Sequence, residues 1–273
     1  MTRPLSLAHL TFLDLPPPDL IRVAGEAGFS AVGLRLIAVT PTSPGYDLMT
    51  DRRLMTETLA ALEDTGVRVN DIEFVRMTPG FDCREMEGFL ATGQALGAKY
   101  VVTAPYDPDL ARLTDNLGLF SDQAALFGLM PVLEFFPWTN VPGLTAALKI
   151  AEATGRQSLG VLLDTLHFDR SHSAPEAITA CDPARLPFIH LCDALVLHAY
   201  SEQDLLHTAR SARLIPGEGQ IDLGNILARL PDNVQIGLEI PLENKGGLSP
   251  RHLAARIFSQ TPAFLESHHA LKA

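Results

Sequence analysis

GVLLDTLHFDRS, residues 160–171, is the stretch that decides the fold. Val161, Leu162 and Leu163 run without interruption into an acid, Asp164, and a histidine, His167, follows three positions later. A short continuous apolar run bounded by polar residues reads as a buried strand rather than a half-exposed one. A buried strand that ends on a carboxylate beside an imidazole needs a partner for that charge.

The same pattern recurs along the chain. Apolar runs at residues 5–10, 31–36, 68–74, 100–104, 130–135, 188–192 and 235–240 bring the number of candidate strands to eight. Helix-like spacing fills the gaps at residues 18–27, 51–65, 83–96, 110–127 and 143–154, with Gly66 and Gly97 as stop signals. Residues 201–213 are charged and amphipathic and read as a helix or lid after the seventh strand. Eight repeats of strand and helix predict an α/β protein with a parallel sheet, and at this length a (β/α)8 TIM barrel. An open doubly wound sheet is the alternative. It is weakened by the lack of an early G-x-G-x-x-G turn. No Gly-, Ser- or Pro-rich linker divides the chain, so residues 1–273 are expected to form a single domain.

Composition narrows the function. The 273 residues are 47% hydrophobic and 19% charged, a globular balance, and a chain of this size can bury roughly 75% of its potential surface. A net charge of −11 with no run of Lys or Arg argues against a nucleic-acid partner. No apolar stretch reaches the ~18 residues of a membrane span, and the first twenty residues do not resemble a signal peptide. Cys83, Cys181 and Cys192 are too scattered for a disulfide framework or a thiolate metal site. A reducing cytoplasm is the expected location.

The strand ends carry the chemistry. Glu134 lies near the end of the fifth strand, Asp164 ends the sixth, His190 is in the seventh and Glu239 lies near the end of the eighth. In a parallel barrel those ends converge on one face, where sites are built. One such residue alone reads as a cap, an ion-pair partner or a core histidine. Four on consecutive strands read as a metal site, since three clustered carboxylates would otherwise repel one another. Three carboxylates and one imidazole suit Mn²⁺ first, with Mg²⁺, Co²⁺ or Zn²⁺ compatible. Arg35 and Glu73, at the ends of the second and third strands, point to the same mouth. They are candidates to bind substrate or to pair with each other. His9 ends the first strand, where it can pack, link through a water or act as a ligand. Phe136 and Trp138 follow Glu134 and could wall the site.

VLEFFPW with Glu134, LLDTLHFD with Asp164 and His167, FIHLCD with His190, IGLEIP with Glu239 and the loop IPGEGQIDL together resemble the xylose isomerase-like TIM barrels, the sugar isomerase and epimerase superfamily. The resemblance runs from LSLAHL to GLEIP. It implies that Glu134, Asp164, His190 and Glu239 hold a divalent metal. It also implies that Glu134 and Glu239 exchange protons with the carbon beside a carbonyl, through a metal-bound enediolate. His167 would then contact substrate oxygens. Two features depart from the ketose epimerases. LCDALVLHAY lacks their arginine after the seventh-strand histidine, which makes Arg213 or Arg210 the candidate cation, and EFFPW differs from their segment. These departures leave a second expectation beside the isomerase or epimerase: a lyase that dehydrates a cyclic hydroxyketone, like a dehydroshikimate dehydratase. The partner in either case is a small sugar or hydroxyketone, and a homo-oligomer is implied by analogy. An abasic-site nuclease shares the barrel but needs more histidines and a basic surface.

Overall fold

A computed structural model describes residues 4–231 and 233–269. Eight parallel strands pair in sequence order: β1 (Leu5–Leu7), β2 (Ala31–Arg35), β3 (Arg68–Met77), β4 (Tyr100–Pro105), β5 (Met130–Glu134), β6 (Gly160–Asp164), β7 (Phe188–Leu191) and β8 (Gln235–Leu238). Leu5, Ser6 and Leu7 of β1 register with Ile236, Gly237 and Leu238 of β8, and this pairing closes the barrel. Closure removes the doubly wound alternative, which would leave two free edges.

The helices are α1 (Pro17–Ala27), α2 (Arg52–Thr65), α3 (Glu87–Ala95), α4 (Leu110–Ala125), α5 (Leu144–Ala153), α6 (Thr165–Arg170), α7 (Glu176–Ala180), α8 (Glu202–Ser211), α9 (Leu223–Leu227) and α10 (Pro250–His269). Local chemistry sets several of their ends. Asp51 accepts the Leu54 N–H to start α2, Asp109 caps α4, and Ser201 and Asp204 form a capping box on α8. The expected helix over 83–96 is divided into a 3-10 turn, Cys83–Met86, capped by Asp82, and α3. The first strand is shorter than its apolar run. After Leu7 the chain bends into a 3-10 turn, His9–Phe12, where Thr11 Oγ1 donates to the Leu238 carbonyl at 3.2 Å and accepts the Ile240 N–H at 2.9 Å. No helix among the described residues is long and apolar enough to cross a membrane.

Strand alternation sorts the barrel interior into layers. Arg35, Glu73, Glu134, Asp164, His190 and Glu239 form the layer nearest the C-terminal mouth, and all are buried. Two residues below each on its own strand lie Gly33, Asp71, Val132, Leu162, Phe188 and Gly237. This second layer is divided. Val102, Val132, Leu162 and Phe188 of β4–β7 make an apolar cluster, whereas β1, β2, β3 and β8 contribute Ser6, Gly33, Asp71 and Gly237.

Candidate metal centre and its cavity

Asp164 answers for both of its neighbours. Its Oδ1 accepts the N–H groups of Leu166 and His167 at 2.8 and 3.1 Å, so it is the N-cap of α6 and fixes where His167 emerges. Its Oδ2 turns the other way and accepts from Arg213 Nη1 at 2.5 Å. The DTLH order is therefore a strand end, a cap and a first helical turn in four residues.

Glu134, Asp164, His190 and Glu239 offer donor atoms that all lie within 4.8 Å of one another. None is more than 4% exposed. The Arg213 guanidinium spans the cluster, with Nη2 at 2.8 Å from Glu239 Oε2 and Nε donating to the Ala209 carbonyl at 3.0 Å. With the three carboxylates ionised and His190 neutral, as metal ligation requires, one guanidinium leaves about two negative charges, which is the charge a divalent cation supplies. Among the described residues neither ring nitrogen of His190 has a hydrogen-bond partner, and its Nδ1 stands 3.6 Å from Glu239 Oε2, beyond hydrogen-bond length. An orphaned buried imidazole facing three carboxylates fits a divalent metal, and these residues would hold it.

The electrostatics separate the two glutamates. Burial, reinforced by the Glu239 and Asp164 charges, pushes the Glu134 carboxyl well above the usual range. Burial acts on Glu239 as well, but Arg213 and His190 outweigh it and hold its carboxyl low. For His190, burial is overcome by the Glu239, Glu134 and Asp71 carboxylates, which raise it to about 10. Burial lowers His167 to about 4 despite Asp164, so its imidazole is neutral.

Above the cluster opens a cavity of about 390 Å³. Glu134, Glu239, His167, Arg35, Glu73 and Arg213 line it, so those six expected residues share one space, with Asp164 and His190 at its base beside them. Arg35 and Glu73 face the cavity and pair with each other at 3.1 Å. Arg213 reaches the cavity with its guanidinium already bonded to two carboxylates. Arg210, on α8, lines the cavity, and its side chain forms no ion pair or hydrogen bond among the described residues. One wall is aromatic. Phe136 and Trp138 stack at 4.9 Å, and the His167 ring stands edge-on to both, at 4.8 and 5.3 Å. His167 Nε2 lies 3.8 Å from Glu134 Oε1. His9 is a packing residue. Its Nδ1 accepts the Arg35 N–H at 2.8 Å, Nε2 pairs with the Leu15 carbonyl at 2.9 Å, and burial lowers its pKa to about 4.

Two structural residues escaped the sequence reading. Asp193, three residues after His190, accepts four backbone N–H groups, those of Ala194, Gly217, Gly219 and Ile221, at 2.8–3.0 Å. It thereby fastens the PGEG loop that follows Arg213. Gly217 adopts φ 92°, and a Cβ on Gly219 would sit 2.6 Å from the Ala194 backbone, so the loop needs both glycines. Thr165 Oγ1 donates to the Cys192 carbonyl at 2.8 Å and accepts its N–H at 3.0 Å, joining the ends of β6 and β7. The D-then-PGxG spacing was the available signal for Asp193. Thr165 left none.

The chain belongs to the xylose isomerase-like TIM barrel family, whose profile matches residues 21–267. It is 28% identical over 160 residues to the inosose isomerase of Bacillus subtilis (strain 168), covering 54% of this chain and 55% of that one. It is 28% identical over 117 residues to the 3-dehydroshikimate dehydratase of Pseudomonas putida, covering 42% of this chain and 18% of that one. The match thus spans about half the length of the inosose isomerase and a smaller share of the dehydratase. A crystal structure of the IOLI protein with a bound zinc atom superposes over 98% of this chain and 99% of that one, with a TM-score of 0.78 at 19% identity. At that identity the likeness is one of fold.

Proposed function

We propose that the protein is an enzyme, a divalent-metal-dependent isomerase or epimerase of a sugar or polyol ketone, working by proton transfer at the carbon beside the carbonyl. The observation that carries this is the buried cluster of Glu134, Asp164, His190 and Glu239 at the base of a cavity of about 390 Å³, large enough for a small sugar or cyclitol. The partial match to inosose isomerases supports the same chemistry. A bound divalent cation would supply positive charge beside the carbonyl oxygen, which makes the neighbouring C–H more acidic.

The chain's own groups do the rest. Glu134 and Glu239 reach the cluster from β5 and β8, and each can take or return a proton at that carbon. His167, neutral and held edge-on by Phe136 and Trp138, presents a ring nitrogen to a substrate oxygen. The Arg35–Glu73 pair offers a donor and an acceptor to hydroxyls, and the aromatic wall excludes water on that side. We assign Mn²⁺ first, for the oxygen-rich donor set, with Zn²⁺ next because the IOLI neighbour carries zinc.

A metal-dependent dehydratase of a cyclic hydroxyketone is the second assignment. It is favoured by the Phe136–Trp138 platform, which suits the face of a ring, and by the match to the dehydratase. Incubation with Mn²⁺ and an inosose in D₂O tests the first. Deuterium beside the recovered carbonyl is expected, and none with any of a panel of ketoses and inososes would refute it. A rising ultraviolet absorbance with 3-dehydroshikimate would instead establish the dehydratase.

A further inference from the structure

Below the carboxylate cluster the barrel interior holds polar atoms that no partner satisfies. Ser6 Oγ, Asp71 Oδ2 and His190 Nε2 are all buried and have no hydrogen-bond partner among the described residues. Ser6 and His190 each pair with Gly237, and Asp71 pairs with Gly33 beyond β1, so the three side chains enter the glycine-lined half of the interior from β1, β7 and β3. The two glycines leave room for these side chains. A Cβ on Gly237 would lie 3.0 Å from His190 Cδ2 and 3.5 Å from Nε2, and one on Gly33 would lie 2.5 Å from Asp71 Oδ2. Asn70 Nδ2 donates to the other oxygen, Oδ1, at 2.9 Å and leaves Oδ2 free. The opposite half of the same layer is filled by Val102, Val132, Leu162 and Phe188. A buried acid in the glycine-lined half is expensive unless it has a task.

The two nitrogens of His190 face different surroundings. Nδ1 is on the side of Glu239, among the metal-binding carboxylates. Nε2 is on the side of Gly237, in the polar half of the layer. We propose that Asp71 is the positioning residue of His190: one buried water accepts the Nε2–H and donates to Asp71 Oδ2, and so commits Nδ1 to the metal. This inference rests on the metal reading of the cluster. A carboxylate behind a ligating imidazole fixes the tautomer and the ring plane and raises the ligand's basicity.

The test is Mn²⁺ and Zn²⁺ titration calorimetry on wild type, Asp71→Asn and Asp71→Ser, with thermal unfolding of each metal-free protein. Loss of a carboxylate that holds a metal-ligating histidine in place weakens metal binding by about 10–100-fold, and that is the expected fall. Binding by Asp71→Asn within about twofold of a metal-binding wild type overturns the proposal and leaves Asp71 a core-filling acid. If wild type itself binds neither ion, the metal reading has failed, and the contact is then tested alone. In metal-free or Zn²⁺-loaded wild type with ¹⁵N-labelled histidine, a protonated, exchange-protected Nε2 of His190 that is lost in Asp71→Asn supports the contact. An unprotonated or freely exchanging Nε2 in wild type overturns it, and the same spectrum decides the matter if the variants do not fold.

Discussion

Replacing Arg213 with Met probes the charge balance of the cluster. The guanidinium is 2% exposed and bridges Asp164 at 2.5 Å and Glu239 at 2.8 Å, two carboxylates from strands on either side of β7. Methionine fills much of the volume but leaves both acids without their cation. Breaking a buried pair in this way costs about 3–5 kcal/mol. In a domain of this size each kcal/mol moves the midpoint by roughly 2–4 °C, so the metal-free variant should melt about 10 °C lower at pH 7.5. The pH dependence has a defined sign. Burial would raise Glu239, but Arg213 and His190 hold its folded pKa below the unfolded value of about 4.3. Its stabilisation is therefore present above the unfolded pKa and is lost only as pH falls toward the depressed folded value. In the variant the main opposing charge is gone, burial dominates, and the carboxyl takes up a proton on mild acidification. The gap between the two proteins should thus be widest near pH 7.5 and shrink toward pH 5. Differential scanning calorimetry or urea unfolding across that range measures it. A loss below about 1 kcal/mol, or a gap that does not change with pH, would refute the internal-counterion argument, because an exposed pair is worth only about that much.

Three other outcomes follow from the same geometry. Glu134→Gln should abolish or greatly weaken divalent-metal binding yet stabilise the metal-free protein by about 1–3 kcal/mol above pH 6. The folded pKa of Glu134 is raised, so its ionised form opposes folding above the unfolded pKa, and denaturant midpoints with and without metal would show both effects. Asp193→Ala removes an acceptor from four backbone N–H groups and should cost on the order of 2–4 kcal/mol, with faster amide exchange at Gly217, Gly219 and Ile221; unchanged protection there would contradict the anchoring role. Trp138→Ala should raise KM for a cyclic substrate by about 10-fold while leaving metal affinity unaltered, which steady-state kinetics beside calorimetry would separate.

The sequence carried the site further than it carried the secondary-structure boundaries. Glu134, Asp164, His190 and Glu239 were legible because each interrupts an apolar run at the same point, a strand end. The strand alternation that hides a residue also determines which face it reaches. Boundaries were blurred where local hydrogen bonds overrode hydrophobic pattern. Thr11 turned residues 9–12 into a 3-10 segment, and Asp82 did the same for residues 83–86. The six residues of α6 are too few to show a helical period, and α10 contains Pro262, which breaks the usual signature.

What the sequence determined by itself was the eightfold strand–helix alternation, which favours a barrel, and the identity of the four residues at the strand ends, since both follow from periodicity read along one dimension. What only the tertiary structure decided was pairing. Arg213 is 49 residues from Asp164 in the chain and bonded to it in the fold, Arg35 answers Glu73 across two strands, and Asp193 holds a loop more than twenty residues away. The divided layer beneath the cluster, apolar on one side and furnished with Ser6, Asp71 and two glycines on the other, likewise exists only once β8 has closed on β1. Charges at a distance in sequence find their partners through the shear and closure of the sheet, and no local pattern encodes that geometry.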